Sequence, residues 1–347
     1  MIYSRNQINK AGLTLITSKS KDDVNLALDI INTWRTNHLH PLKILKNGMM
    51  KILEQNNINP VLVSQRLKRL SSIIYKLDLN NNMGLGGMQD IGGYRVVLKD
   101  VKDLNKLNKI ILKNISKHKL ERIADYVTNP KVSGYRSIHF VYKYYSRAEN
   151  YSNARLELQI RTKLQHNWAT AVETAGILTN TSLKSSQGSD EWLHFFKIVS
   201  SLFAIKENLP KLEIHKEHTV KDLMIEYYYL CKKLNVIVNL SAIRVSTKHI
   251  ESKNYNSDYY LLRINIKDKI VNLKSYNKSE YENATQDYLD FEKQIIEGEN
   301  AIVLVAASSL KALKKAYPSY FLDTSEFLLA LEKMNANCIS RGYIIDN

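Results

Sequence analysis

A chain of 347 residues, 44% hydrophobic and 24% charged, has the make-up of a soluble protein of two modest domains, at roughly 100–200 residues each. Its two cysteines, Cys231 and Cys338, have no Cys or His partners at metal-ligand spacing, which argues against a disulfide scaffold or zinc site and for a reducing compartment. The net charge of +16 is lopsided: residues 1–176 hold 28 Lys+Arg against 13 Asp+Glu, and residues 177–347 hold 22 against 21.

Taken in chain order, apolar positions Val24, Leu28, Ile31 and Trp34 predict a helix over 21–37. A second helix is expected from Pro41 to Gln55 and a third from Val61 to Leu77. The latter ends before the turn-rich Asn80-Asn81-Asn82-Met83-Gly84-Leu85-Gly86-Gly87. A buried-type strand follows at Tyr94 to Leu98, then a helix from Val101 to Lys117. Strands are expected near 120–127, 136–145 and 155–161, and a helix over 162–174. This alternation predicts an α/β or α+β domain on a mixed sheet. The polar segment 179–189 reads as a linker, dividing the chain into a first domain at 1–178 and a second at 190–347. In the second, helices are expected at 190–208 and at 219–234, the latter capped by Thr219. Strand-like stretches at 236–245 and 259–266, a helix at 279–297, a strand at 301–306 and short helices at 309–316 and 324–336 make it a small α/β unit of unassigned role. Neither a secretory signal at Met1-Ile2-Tyr3-Ser4-Arg5-Asn6 nor an apolar run near the roughly 20 residues of a membrane span is evident, so a cytoplasmic protein is expected.

Four clusters in the basic half bear on chemistry. In the first, Gln65 to Lys76, a helix would bring Arg66, Arg69, Ser72 and Lys76 near one face, suited to a triphosphate or equally to a solvated surface. In the second, Asp90 precedes Gly92-Gly93 and an apolar strand, so its carboxylate sits at a sheet end where it could ligate Mg²⁺ or close an Asx turn. In the third, Asp125 to His139, Pro130 and Gly134 bracket a loop carrying Lys131, Tyr135 and Arg136, an aromatic beside cations that suits a nucleotide or plain packing. In the fourth, alternation puts Glu157, Gln159 and Arg161 on one strand face and Leu156, Leu158 and Ile160 on the other.

In this order, Asp90-Ile91-Gly92-Gly93-Tyr94-Arg95-Val96-Val97, Pro130-Lys131-Val132-Ser133-Gly134-Tyr135-Arg136-Ser137-Ile138-His139 and Glu157-Leu158-Gln159-Ile160-Arg161-Thr162 resemble the synthetase domain of the RelA/SpoT family over residues 20–176. The resemblance implies a nucleotidyltransferase-like mixed sheet flanked by helices, and transfer of pyrophosphate from ATP to the 3′-hydroxyl of GDP or GTP. It implies Asp90 and Glu157 as magnesium ligands, with Glu157 also the base. Arg66, Lys68, Ser72, Lys76 and Arg95 would serve ATP, with Lys131, Tyr135, His139, Gln159 and Arg161 on the acceptor. The sequence holds no His-Asp dipeptide, so a small synthetase-only member without the hydrolase half is expected. The glutamate of the Trp168-Ala169 helix, Glu173, falls one position later than the family's pattern. An adenine nucleotide or tRNA as acceptor, a silent nucleotide- or RNA-binding module, and a homo-oligomer are left open.

Overall fold

The computed structural model describes residues 3–80, 82–113, 116–148, 151–178, 189–247, 257, 259–265, 270–293, 300–306 and 324–344. Three helices lead: α1 (Arg5–Thr17), α2 (Lys21–Thr36) and α3 (Leu39–Gln55). They run into β1 (Leu62–Leu67), α4 (Leu70–Leu79), β2 (Gly92–Leu98) and α5 (Val101–Lys113). Then come β3 (Lys119–Asp125), β4 (Ile138–Lys143), β5 (Arg155–Thr162) and α6 (Lys163–Leu178). The five strands form one sheet in the order β1-β2-β5-β4-β3, with β2 and β5 parallel and the other pairs antiparallel. The expected mixed sheet flanked by helices is therefore what the chain builds.

Period-two alternation decides the two faces of this sheet. Tyr94, Val96 and Leu98, Ile138 and Phe140, and Leu156, Leu158 and Ile160 point to one side, where α3 supplies Leu42, Met49 and Leu53 and α5 supplies Leu104, Leu107 and Ile111. Burying that apolar set at about 25 cal/mol per Å² is the main force holding the sheet to its helices. The opposite face carries the polar members of the same strands. A second cluster packs α1, α2 and α4 around Met88 and Ile91, beside the start of β2.

Beyond residue 188 the chain adds α7 (Asp190–Lys206), α8 (Val220–Lys233) and α9 (Val236–Thr247). A small antiparallel sheet follows, of β6 (Tyr259–Asn265), β7 (Ile270–Tyr276) and β8 (Asn300–Ala306), with α10 (Tyr281–Lys293). The last helix is α11 (Ser325–Ser340). Phe195, Phe196, Tyr227, Phe327 and Leu331 share one core with Tyr135, Trp168 and Val172. Thr219 caps α8 as expected, accepting the Asp222 amide at 3.1 Å.

Two expectations fail. Residues 61–77 are not one helix: β1 pairs with β2, and α4 starts only at Leu70. Its alternation, with Leu62 and Ser64 buried on one side, is hidden in a stretch whose residue types also suit a helix. Residues 236–245 are helical, although Val236, Ile237 and Val238 favour a strand. Val236 and Leu240, four apart, bury against the same core as α8 and α11, and tertiary packing outweighs local propensity. Helix α1 and strand β7 went unpredicted; the linker at 179–188 and the helix at 309–316 lie outside the described residues.

Candidate active site

Strand register assembles the site. His139 on β4 pairs with Gln159 on β5, which pairs with Arg95 on β2, which pairs with Ser64 on β1. One step along, Glu157 pairs with Gly93 and Gly93 with Arg66. These two rows lie on the polar face. Gly93, having no side chain, leaves the floor open between Glu157 and Arg66. The resulting cleft is lined by Ser64, Gln65, Arg66, Lys68, Asp90, Arg95, Glu157 and Gln159.

Asp90 stands just before β2, so the sheet carries its carboxylate to the rim of the cleft. Lys68 Nζ donates to its Oδ2 at 2.8 Å and Lys76 Nζ to its Oδ1 at 3.1 Å. Burial alone would raise the Asp90 pKa, but the two lysines outweigh it and hold the carboxyl well below the usual range. Burial pulls the Lys68 ammonium down, against the opposing pull of Asp90. Removing Asp90 would thus leave a desolvated cation with no counter-charge.

Glu157 is held just as firmly. His139 Nδ1 lies 2.8 Å from its Oε1, and Gln159 Nε2 donates to its Oε2 at 2.7 Å. Burial pushes this carboxyl up, but the hydrogen bond and electrostatic attraction of His139, helped by the Gln159 hydrogen bond, win and its pKa lies below the ordinary glutamate value. An ionised Glu157 accepts only, so Nδ1 of His139 carries the proton. In a neutral ring Nε2 then accepts from the Tyr135 hydroxyl, 2.9 Å away. A relay therefore runs Tyr135–His139–Glu157–Gln159, and the Gln159 carbonyl oxygen faces Arg95 at 3.4 Å.

Of the residues expected on the donor side, Arg66, Lys68 and Arg95 line the cleft and Lys76 reaches it through Asp90. They do not share a helix face. Arg66 lies on β1, Lys68 in the connection, Arg69 at the N-cap of α4, and only Ser72 and Lys76 on the helix itself. Ser72 is half-buried on α4 and is not among the cleft's lining residues.

On the acceptor side, Lys131 Nζ sits 4.7 Å from the Tyr126 ring centroid and 5.5 Å from that of Tyr135. Tyr135 is only 6% exposed and its ring meets His139 edge-on. Arg161 is buried, and burial foremost, then Arg95, brings its pKa down to about 9. Its Nη2 donates to His166 Nδ1, whereas its Nε and Nη1 have no hydrogen-bond partner among the described residues. A buried cation with donors in reserve suits an anionic ligand. Ser64, Gly93 and Tyr126 were missed. Only the period-two register, not residue type, would have marked Ser64 and Gly93.

Residues 65–178 match the family model of a region found in RelA / SpoT proteins, so this part of the chain is a RelA/SpoT region. The probable GTP diphosphokinase RSH3, chloroplastic, of Arabidopsis thaliana is 32% identical over 119 residues, 33% of this chain and 15% of that protein. The GTP pyrophosphokinase YjbM of Bacillus subtilis is 28% identical over 137 residues, 37% of this chain and 63% of that one. The chain thus spans less than two thirds of the length of these relatives. Among solved structures, small alarmone synthetase 1 from Bacillus subtilis bound to its product pppGpp aligns at 23% identity and a TM-score of 0.42, covering 50% of this chain and 89% of that one.

Proposed function

We propose that the RelA/SpoT region of this chain is an ATP-dependent pyrophosphokinase that makes (p)ppGpp from GDP or GTP. One observation carries the reading: two ionised carboxylates, Asp90 and Glu157, line a single cleft with Arg66, Lys68 and Arg95, in the segment related to GTP pyrophosphokinases.

Mg²⁺ is usually bound through one or two carboxylates plus substrate phosphates, and this pair fits that donor set. Among the described residues no three His, Cys, Asp or Glu side chains are placed to hold a metal, so phosphate oxygens would supply the remaining ligands beside Asp90 and Glu157. The ion would neutralise charge on the β- and γ-phosphates. Arg66 and Arg95 flank the triphosphate, and Lys68 and Lys76 trade part of their hold on Asp90 for phosphate oxygens.

The acceptor's 3′-oxygen attacks the β-phosphorus, and the bond from that phosphorus to the α,β-bridging oxygen breaks. AMP leaves with the electron pair, and the hydroxyl proton passes to Glu157. The lowered pKa of Glu157 makes it a weak base. That suits a group that aligns the hydroxyl, since phosphoryl-type transfer needs positioning more than early deprotonation. His139 and Gln159 hold both oxygens of Glu157 and fix its aim. Lys131 covers Tyr135, so a guanine stacked there takes its place while the ammonium turns to the acceptor's phosphates.

The test offers ATP labelled at the β-phosphate, with Mg²⁺, to GDP, GTP, ATP and bulk tRNA in separate reactions. Label on GDP or GTP is expected, lost by at least about a hundredfold in Asp90→Asn and Glu157→Gln. Label on no acceptor defeats the enzyme reading; label on tRNA or ATP alone moves the acceptor.

A further inference from the structure

Arg35 of α2 is 1% exposed, a charge taken out of water, and within its own helix Nη1 donates to the neutral Asn32 Oδ1 at 2.9 Å. Its counter-ion comes from the C-terminal unit: Glu292 of α10, with Arg35 Nη1 donating to Oε2 at 2.6 Å and Nη2 to Oε1 at 3.2 Å. The Tyr288 hydroxyl, one turn back, donates to Glu292 Oε1 at 2.7 Å and accepts from Arg35 Nη2 at 2.6 Å. A buried pair with all its donors engaged has the geometry that offsets desolvation.

The same groups hold the backbone that delivers Lys68 to the cleft. Arg35 Nη2 donates to the Lys68 carbonyl at 2.8 Å and Nε does so at 3.2 Å. Glu292 Oε1 accepts the Leu70 amide at 2.9 Å, occupying one of the free N–H groups that open α4, the helix bearing Lys76. On its other side the Lys68 amide donates to the Ile91 carbonyl at 2.8 Å, next to Asp90. The connection 68–70 is therefore gripped at both ends, by the sheet on one side and by a residue more than two hundred positions later on the other.

We propose that Glu292, with Tyr288 and Arg35, is a positioning device through which the C-terminal α/β unit sets the aim of Lys68 and Lys76. This inference rests on the reading that the cleft takes the polyphosphate of ATP. Loosening the grip weakens nucleotide capture while leaving the acceptor side alone, because none of the three residues touches Tyr135, His139, Glu157 or Gln159.

The full chain is tested as Glu292→Gln, which keeps the shape and an acceptor oxygen but removes the charge, and as Tyr288→Phe, which removes only the linking hydroxyl. In the folded variants the KM for ATP is expected to rise about fivefold or more, with the KM for the acceptor within about twofold. Hydrogen exchange of the Leu70 amide is expected to speed up by about tenfold. A merely structural role would lower the active fraction, and so kcat, without moving the KM for ATP. If the wild type transfers no pyrophosphate, the functional reading falls, and Leu70 exchange alone judges the device. Wild-type exchange at Leu70 in both variants, or in Tyr288→Phe where Glu292→Gln fails to fold, overturns the proposal; so does an unchanged KM for ATP in an active folded variant.

Discussion

Asp90 and Glu157 reach the ionised state by different routes. Asp90 is held down by two lysine ammoniums, Glu157 chiefly by its hydrogen bond and electrostatic attraction to His139, with a smaller contribution from Gln159. The Asp90 route has a stability consequence with a definite sign. A carboxyl whose pKa is depressed on folding contributes stability that is complete above its unfolded value, near 3.8, and is lost as pH falls through the folded value. Asp90→Asn should therefore be less stable than wild type at pH 7, by about 1 kcal/mol for a pair partly open to water. The gap should narrow as urea denaturation is repeated from pH 5 down to pH 2; a gap that stays constant across that range would rule out the ion pairs as its source. Asp90, Glu157 and Gln159 stand out in the sequence by type and spacing, and His139 only through the family resemblance. Their pairing does not, because it depends on β4, β5 and β2 lying side by side.

At the scale of elements, the loop from Asp125 to Ser137 links chemistry to packing. Asp125 Oδ1 accepts the amides of Val127 and Thr128, closing the turn that the sequence places there. Gly134 then adopts φ +93°, and its carbonyl accepts from Ser200 Oγ on α7 at 2.7 Å. A β-carbon at this position would come within 2.9 Å of Ser200 Cβ and 3.0 Å of Trp168 Cζ2. Gly134→Ala combines backbone strain with overpacking and should cost about 2 kcal/mol, lowering Tm by about 5 °C. It should also raise the KM for the acceptor, since Lys131 and Tyr135 ride on this loop. An unchanged Tm in differential scanning calorimetry would mean that the loop yields without strain. The helix misread over 61–77 belongs to this scale too. Cations spaced at three and four suggest a helix whether or not one forms, and only pairing with β2 reveals β1.

Across the whole molecule, the two halves share a core. Tyr135, Trp168 and Val172 pack with Phe195, Phe196, Tyr227 and Phe327, and Trp168 Nε1 donates to the Phe196 carbonyl at 2.9 Å. Residues 1–188 alone would leave that apolar face uncovered. Such a chain should bind a hydrophobic dye and lose near-ultraviolet ellipticity, while the full chain does neither; a soluble truncated chain with a cooperative transition would contradict this. Among the described residues no helix is long and apolar enough to cross a membrane. The sequence by itself determined the mixed sheet, the polar strand face with Glu157 and Gln159, and the RelA/SpoT resemblance. Each of these rests on local period or on residue order along the chain. Only the tertiary structure decided that Asp90 is shared by Lys68 and Lys76, that Gly93 is the open floor of the cleft, and that Glu292 secures Leu70. Those are contacts between residues 14 to 222 positions apart, and a local pattern carries no record of such distances.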